Sequence, residues 1–527
     1  MMFSWDLPYG SRRSPVLARN VVATSQPLAV QAGLSMLQRG GNATDAAVAA
    51  AIALTVVEPC SNGIGGDLFA MVWDGQGLQG LNGSGRAPRA WNRERFDHLE
   101  GITVGPQSVT VPGAVDAWAQ LSGRFGNLPF AQLFEPACQY AAEGFAVSPI
   151  VGHTWGQAVD TYHDSDDFRR DFLPAGRPPA VGERFILRGQ SETLQQIAES
   201  AGESFYRGAL ARRIVAHLGL AGAAMTAEDL SRHRSEWVAP VAQSYRDVVV
   251  HELPPNSQGV AVSLALGILQ QLDLAQHPVD SADSVHLQVE AMKAAFREVR
   301  RHVADPDHMQ VSVAELLHEE ALAGHAATID LDRAGDPESG LGSDGGTVYV
   351  TAADESGMMV SLIQSNYWGF GSGLVVRDAG ISLHNRGAGF SLEPGHPNLV
   401  AGGKRPFHTI IPGFVTRDGD PVMSFGVMGG HMQAQGHVQM VTRIFDYGQN
   451  PQAAADAPRW FLDDRLRLVF ESGFPAAVRE ELRRRGHAFG DQPPRFAFGG
   501  AQLIYRLENG VYCAASDPRK DGHAAGF

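Results

Sequence analysis

The run from Ala43 to Leu54, Ala-Thr-Asp-Ala-Ala-Val-Ala-Ala-Ala-Ile-Ala-Leu, is small and apolar on nearly every side of a helix. A helix without a polar face must be covered all round, and side chains this small let neighbouring backbone close in on it. It is expected to lie buried, with Asn42 as its N-cap and Pro59 ending it. A chain of 527 residues with 44% hydrophobic content can supply that cover from its own core and needs no covalent staple.

The elements around this helix are legible from periodicity. Pro27 to Arg39 reads as a second helix, opening on proline and closing at Gly40-Gly41. Ser61-Asn62-Gly63-Ile64-Gly65-Gly66-Asp67 is a glycine loop that runs into a strand, Leu68 to Trp73, with a turn at Asp74-Gly75. Ala114 to Ile329 is predicted to be mostly helical covering structure, most clearly amphipathic from Val285 to Val303. After Thr347 the pattern becomes strands, at Val348–Ala352, Met359–Gln364, Ile410–Val415 and Val422–Gly426, before helices resume at Gln433–Phe445 and Ala476–Arg485. Hairpins packed between helices predict a layered α/β sandwich with antiparallel pairing, not a parallel doubly wound sheet. No internal repeat and no domain linker stands out.

The formal charge of −15, without a Lys/Arg-rich run, argues against nucleic acid and anionic membrane surfaces as partners and for a small substrate. Met1 to Pro8 lacks the basic and apolar regions of a secretory signal, and no apolar run is long enough to span a bilayer. Cys60, Cys138 and Cys513, an odd and scattered set, suit a reducing cytoplasm.

Chemistry concentrates at Thr347. In Asp344-Gly345-Gly346-Thr347-Val348-Tyr349-Val350 a glycine pair meets a β-branched strand, so a hydroxyl is delivered where a loop becomes rigid. Cleavage of the Gly346–Thr347 bond would give Thr347 a free α-amine, joining nucleophile and base on one residue, and Asp332 to Gly346 reads as the processing loop. Gly429-Gly430 could aim backbone N–H groups at an oxyanion. Arg86, fixed between a glycine turn and Pro88, could hold a substrate carboxylate, and Gln364 and Asn366 could hydrogen-bond the Thr347 amine or hydroxyl. Taken singly, each is as readily a strand residue, a turn, a solvated arginine or a backbone cap. Three rivals read as structure: Cys60 as a small buried hydrophobe, Gly369-Phe370-Gly371-Ser372-Gly373 as a glycine hairpin and not a nucleotide loop, and His431 with His437 as a pair whose spacing matches no common zinc motif.

From about Val22 onward the chain resembles the γ-glutamyltranspeptidase family of N-terminal nucleophile hydrolases. The match lies in Gly40-Gly41-Asn42-Ala43-Thr44-Asp45-Ala46-Ala47, Gly63-Ile64-Gly65-Gly66, Val111-Pro112-Gly113, Glu290-Ala291-Met292 with Asp305-Pro306, Lys404-Arg405-Pro406, Gly429-Gly430 and Ala515-Ser516-Asp517-Pro518-Arg519. The resemblance implies a four-layer αββα sandwich and self-cleavage before Thr347. It implies two intertwined subunits, residues 1–346 and 347–527, and no metal or organic cofactor. Thr347 would be the nucleophile, Arg86 the α-carboxylate clamp, Asn366 a substrate or nucleophile contact, and Gly429-Gly430 the oxyanion hole. Water or an amine would accept the acyl group.

The sequence departs from the family where the glutamyl group is recognised. The paired aspartates that hold the α-amine are replaced in Asn385-Arg386-Gly387-Ala388-Gly389-Phe390, the paired serines become His408-Thr409, and the second threonine becomes Val348. The lid loop between Phe390 and Lys404 is short, which predicts an open pocket. A pocket that keeps a carboxylate-binding arginine and gains Arg386 repels an α-ammonium and attracts a second carboxylate, so a carboxylate-bearing amide without an α-amine is the expected substrate. The pattern resembles two side branches, oxamate amidohydrolases of purine breakdown and cephalosporin or glutaryl acylases, beside the γ-glutamyl compounds of the family at large. An uncleaved binding relic of the fold is the non-enzymatic alternative.

Overall fold

Asn42 caps the Ala43–Val57 helix by accepting from the N–H groups of Thr44 and Asp45, while Asp45 reaches back to the Asn42 N–H, and every residue of the helix is buried. The computed structural model in which this is seen describes residues 13–96, 103–335, 346–491 and 495–527. Met1 to Pro8, and residues 336–345 of the stretch read as a processing loop, lie outside the described residues.

The fold is mixed α/β, built on two seven-stranded sheets whose strand pairs are antiparallel. In the first sheet, Gly346–Ala353 lies between Val21–Thr24 and Met359–Tyr367, followed by Asp67–Trp73, Leu78–Gly83 and Glu236–Val238. In the second, Asp420–Met428 lies between Gly500–Arg506 and Gly413–Arg417, which leads to Val248–Glu252 and Val241–Tyr245. Alternation along the strands sorts the core. Leu68, Ala70, Val72, Val348 and Val350 pack with the Ala43–Val57 helix, whereas Phe69, Met71, Tyr349 and Ile363 pack with Ile410, Phe414, Met428 and Ile504 of the other sheet. Val415, Met423, Phe425 and Val427 turn instead to the helices Gly259–Gln270, Ala282–His302 and Met432–Phe445.

The predicted helices and strands are found, with one correction of role. The middle of the chain is more than helical cover, because Glu236–Val238 edges one sheet and the Val241–Tyr245 and Val248–Glu252 hairpin edges the other. Their short, half-buried patterns carry too few apolar residues to outweigh the helices around them. All three cysteines are free, and no helix among the described residues is long and apolar enough to cross a membrane.

Candidate active site

Thr347 sits in a β-bulge. Gly346 pairs with Tyr367 and Val348 with Gln364, so two residues, Ser365 and Asn366, stand opposite one threonine. Ser365 is the one that meets it: the Thr347 hydroxyl donates to Ser365 Oγ at 3.2 Å, and Ser365 Oγ donates to the Gly346 carbonyl at 2.7 Å. The Tyr367 N–H donates to Ser365 Oγ at 2.8 Å, and Tyr367 takes a left-handed φ of 76° to end the bulge. One hydroxyl therefore touches both the candidate nucleophile and the carbonyl it would attack. Thr347 itself is 3% exposed.

The bulge corrects one expected contact. Gln364 faces the helical side, accepting from Trp118 Nε1 at 2.8 Å and donating to Asn62 Oδ1 at 2.7 Å and Ala51 O at 3.3 Å, so it does not serve Thr347. Asn366 donates to Ser382 Oγ at 3.3 Å and packs against Gly63 and Gly66 of the glycine loop, its buried Oδ1 without a partner among the described residues.

Arg386, from the turn Arg386–Gly389, is fully buried beside this hydroxyl relay. Its Nη2 donates to Ser365 Oγ at 3.4 Å, its Nη1 to Thr409 Oγ1 at 3.0 Å, and its guanidinium lies 4.2 Å from the centre of the Tyr367 ring. Among the described residues no carboxylate is within ion-pair distance, and Nε has no partner. Burial pulls the guanidinium down to about 10.

Asp67 is the nearest acid, and it is spent on histidines. It lies across from Ser365 on the adjacent strand, and its Oδ2 is 3.0 Å from His408 Nε2 and 3.4 Å from His384 Nδ1. Its Oδ1 accepts from the Gly113 and Gly85 N–H groups at 3.1 and 3.3 Å. Burial alone would raise the Asp67 carboxyl, but the two imidazoles hold it well below the usual carboxylate range. The Ile410 N–H approaches His408 Nδ1 at 3.4 Å, so the His408 proton belongs on Nε2, where it donates to Asp67. Burial, then the Arg386 charge, push His408 down to about 3 and keep it neutral.

Gly429 and Gly430 follow the Asp420–Met428 strand with φ of 129° and 58°, conformations that favour glycine, and their N–H groups have no backbone acceptor among the described residues. Gln258 ties them to the pocket, because its Nε2 donates both to Gly430 O at 2.9 Å and to Thr409 O. Arg86 lies further out. It is 38% exposed, bonded to Asp305 at 3.1 Å and Glu236 at 3.3 Å, and lines a 560 Å³ cavity with Arg405 and His233. Its turn needs Gly85, where a Cβ would stand 1.5 Å from Val111 O. His431 and His437 have separate partners, Gln258 Oε1 at 3.3 Å and Glu252 Oε1 at 2.6 Å. Cys60 is buried with its thiol pushed up to about 12, a poor nucleophile. The structure thus brings together Thr347, Arg386, His408 and Thr409, and adds Ser365, Tyr367 and Asp67, which sequence reasoning missed. Only the bulge could have singled out Ser365.

The γ-glutamyltranspeptidase family model matches residues 29–527. The chain belongs to the γ-glutamyltranspeptidase family. It is accordingly an N-terminal nucleophile enzyme of the amidohydrolase and acylase kind. The "Glutathione hydrolase-like YwrD proenzyme" of Bacillus subtilis is 35% identical over 98% of this chain and 100% of that protein. The oxamate amidohydrolase proenzyme of Klebsiella pneumoniae is 36% identical over 98% and 99%. Among solved structures, a cephalosporin acylase from Bacillus halodurans superposes with a TM-score of 0.95 at 46% identity, covering 100% of this chain and 99% of that one. The resemblance drawn from the motif blocks is therefore the family itself.

Proposed function

We propose that the chain cleaves itself between Gly346 and Thr347 into subunits of residues 1–346 and 347–527, which stay intertwined in a four-layer αββα sandwich. The mature enzyme hydrolyses the amide of a small carboxylic acid that lacks an α-ammonium, and oxamate is the simplest such substrate. In processing, the Thr347 hydroxyl attacks the Gly346 carbonyl; Ser365, bonded to both, takes up the hydroxyl proton as it passes its own to the carbonyl oxygen, and a proton reaches the Thr347 nitrogen as the C–N bond breaks. The acyl group moves from nitrogen to oxygen, and water releases the new amino terminus.

In turnover the freed α-amine takes the proton of the Thr347 hydroxyl as its oxygen attacks the substrate amide, and returns it to the leaving nitrogen. The Gly429 and Gly430 N–H groups receive the oxyanion. Water resolves the acyl-enzyme as a hydrolase; an amine in its place makes the reaction a transfer.

The observation that carries this reading is Arg386, a buried guanidinium without a carboxylate partner among the described residues, sharing the Ser365 oxygen with the nucleophile. A buried cation left unpaired is costly, so it belongs where an anion from outside completes it. Because the cation stands so near Thr347, it suits an acid whose carboxylate is one bond from the scissile carbonyl, as in oxamate. The relative named an oxamate amidohydrolase supports the same choice. A second reading, a longer acid of the glutaryl kind, draws on Arg86 and its 560 Å³ cavity and on the similarity to a cephalosporin acylase.

Two measurements test the proposal. Denaturing electrophoresis of the wild type should give two fragments, and Thr347→Ala should give one band with activity lost by at least about 1000-fold. A panel of oxamate, a glutaryl amide and a γ-glutamyl anilide should be turned over fastest at oxamate; the γ-glutamyl anilide in first place would reinstate ordinary glutamyl specificity.

A further inference from the structure

We infer that Arg386 and Asp67 together set the basicity of the Thr347 α-amine, so that the empty site holds the amine neutral and a bound acid turns it into an effective base. The inference rests on the self-processing reading above, because only cleavage creates that amine. An α-amine with an ordinary pKa of about 7.7–8.0 is mostly protonated at neutral pH and cannot accept the hydroxyl proton. Something in the site has to disfavour its charged form.

Arg386 is placed to do so. It is fully buried, and it bonds the same Ser365 oxygen as Thr347, so a second cation at the Thr347 nitrogen would face a like charge through little solvent. Asp67 opposes it from the adjacent strand, register partner of Ser365, but its carboxylate is engaged by His408 and His384. The remaining titratable groups around the relay add little charge. His408 and His431 are kept neutral by burial and by Arg386 itself. Tyr367 lies beneath the guanidinium. On the other side, Gly346 packs against the Cys60 carbonyl, where the Cys60 thiol is neutral and burial raises the Glu58 carboxyl, which Ser25 caps at 2.5 Å and on which Lys520 and Asp521 act with opposite sign. Arg386 is thus the buried cation that shares a hydrogen-bonding oxygen with the nucleophile and has no carboxylate at ion-pair distance among the described residues.

A coupling to substrate follows. When a substrate carboxylate pairs with Arg386, the guanidinium field is cancelled, and the amine, which the empty site has left unprotonated, gains basicity toward the Thr347 hydroxyl once the bound acid has displaced the water beside it. The proton then moves from Thr347 Oγ1 to the α-nitrogen as the C–O bond forms, and from that nitrogen to the leaving nitrogen as the C–N bond breaks. An amide without a carboxylate leaves Arg386 unpaired and the amine a weak base.

The test titrates the amine directly, without turnover. Processed enzyme is reductively methylated across a pH series, and modification of the small subunit's amino terminus is followed by mass spectrometry. Arg386→Gln should raise the midpoint by about one pH unit, and Asp67→Asn should lower it by about half a unit. Oxalate should raise the wild-type midpoint and leave that of Arg386→Gln in place. An unchanged midpoint in Arg386→Gln, or a raised one in Asp67→Asn, overturns the inference. If Arg386→Gln does not process, Asp67→Asn and the oxalate shift of the wild type decide, and absence of that shift counts against it. A wild type that runs as one band removes the self-processing reading and this inference with it. Processed enzyme that prefers the γ-glutamyl anilide removes only the substrate assignment, because the midpoints are read without substrate.

Discussion

Two arginines among the described residues are wholly buried, and they are housed in opposite ways. Arg459 donates to Asp517 Oδ2 at 2.5 Å, to Phe498 O at 2.8 Å and to Ala455 O at 3.1 Å; Asp517 also pairs with Arg519, which reaches Glu471. Arg386 has two hydroxyls and a tyrosine face. Burial pulls both guanidiniums down to about 10. The cost of burying the charge is common to the two; only Arg459 is compensated from within. An ion clamp closed on itself serves the fold, whereas a cation left open beside a nucleophile serves a ligand.

Breaking each arrangement should separate the two roles. The largest effect is expected from Asp517→Asn, which leaves Arg459 buried without its counter-ion and should cost about 3–5 kcal/mol of stability in urea unfolding. Activity per folded molecule should be retained. Arg386→Gln should do the reverse, lowering kcat/KM for oxamate by about 100-fold, roughly 2.7 kcal/mol, while stability stays within about 1 kcal/mol of wild type or rises. A variant at Arg386 that unfolded as readily as Asp517→Asn would erase the distinction. Arg386→Lys sharpens it further: the charge is kept but the planar fork is lost, and a smaller decrease of about 10-fold is expected.

The sequence foretold the clamp and the pocket unequally. Ala515-Ser516-Asp517-Pro518-Arg519 stood out as a motif block, and the carboxylate it supplies is closed by Arg459, a residue nothing in the local pattern marked. Thr347, the glycine pair and the replacement of acids by Arg386 were legible because they depend on residue type at a recognisable junction. The partner of Thr347 was not, since period-2 alternation assigns faces only while the register is unbroken, and the bulge at Gly346/Val348 shifts it by one. Gln364 and Asn366 flank Ser365 at the strand end, and it is Ser365 that the bulge sets against the Thr347 hydroxyl. Asp67 was read as the last residue of a glycine loop, and its role depends on His384 and His408, more than 300 residues away, which no local window joins. The two strand pairs supplied by the helical middle were hidden for a similar reason, their partners being remote in sequence.

The two sites should also part company on acidification, with the loss of stability falling first at the pocket. His408 and His431 are neutral in the fold, at about 3 and about 4, whereas an unfolded histidine titrates near 6.5. Between these values only the unfolded chain binds the proton, so their contribution is present above pH 6.5 and is lost as pH falls toward the folded values. From pH 7 to pH 5 each ring should lose about 2 kcal/mol. The Asp517 carboxyl, opposed by burial but lowered by Arg459 and Arg519, keeps its charge in this window and loses its contribution only below the ordinary aspartate range. Stability measured by urea at several pH values should therefore converge for wild type and His408→Asn, the gap between them narrowing by about 2 kcal/mol from pH 7 to pH 5, because the variant has no ring to protonate at that position. Parallel curves would mean that His408 takes up its proton in the folded pocket as readily as in the unfolded chain, and below pH 6.5 the cation excess that singles out Arg386 would then have to be shared between two groups.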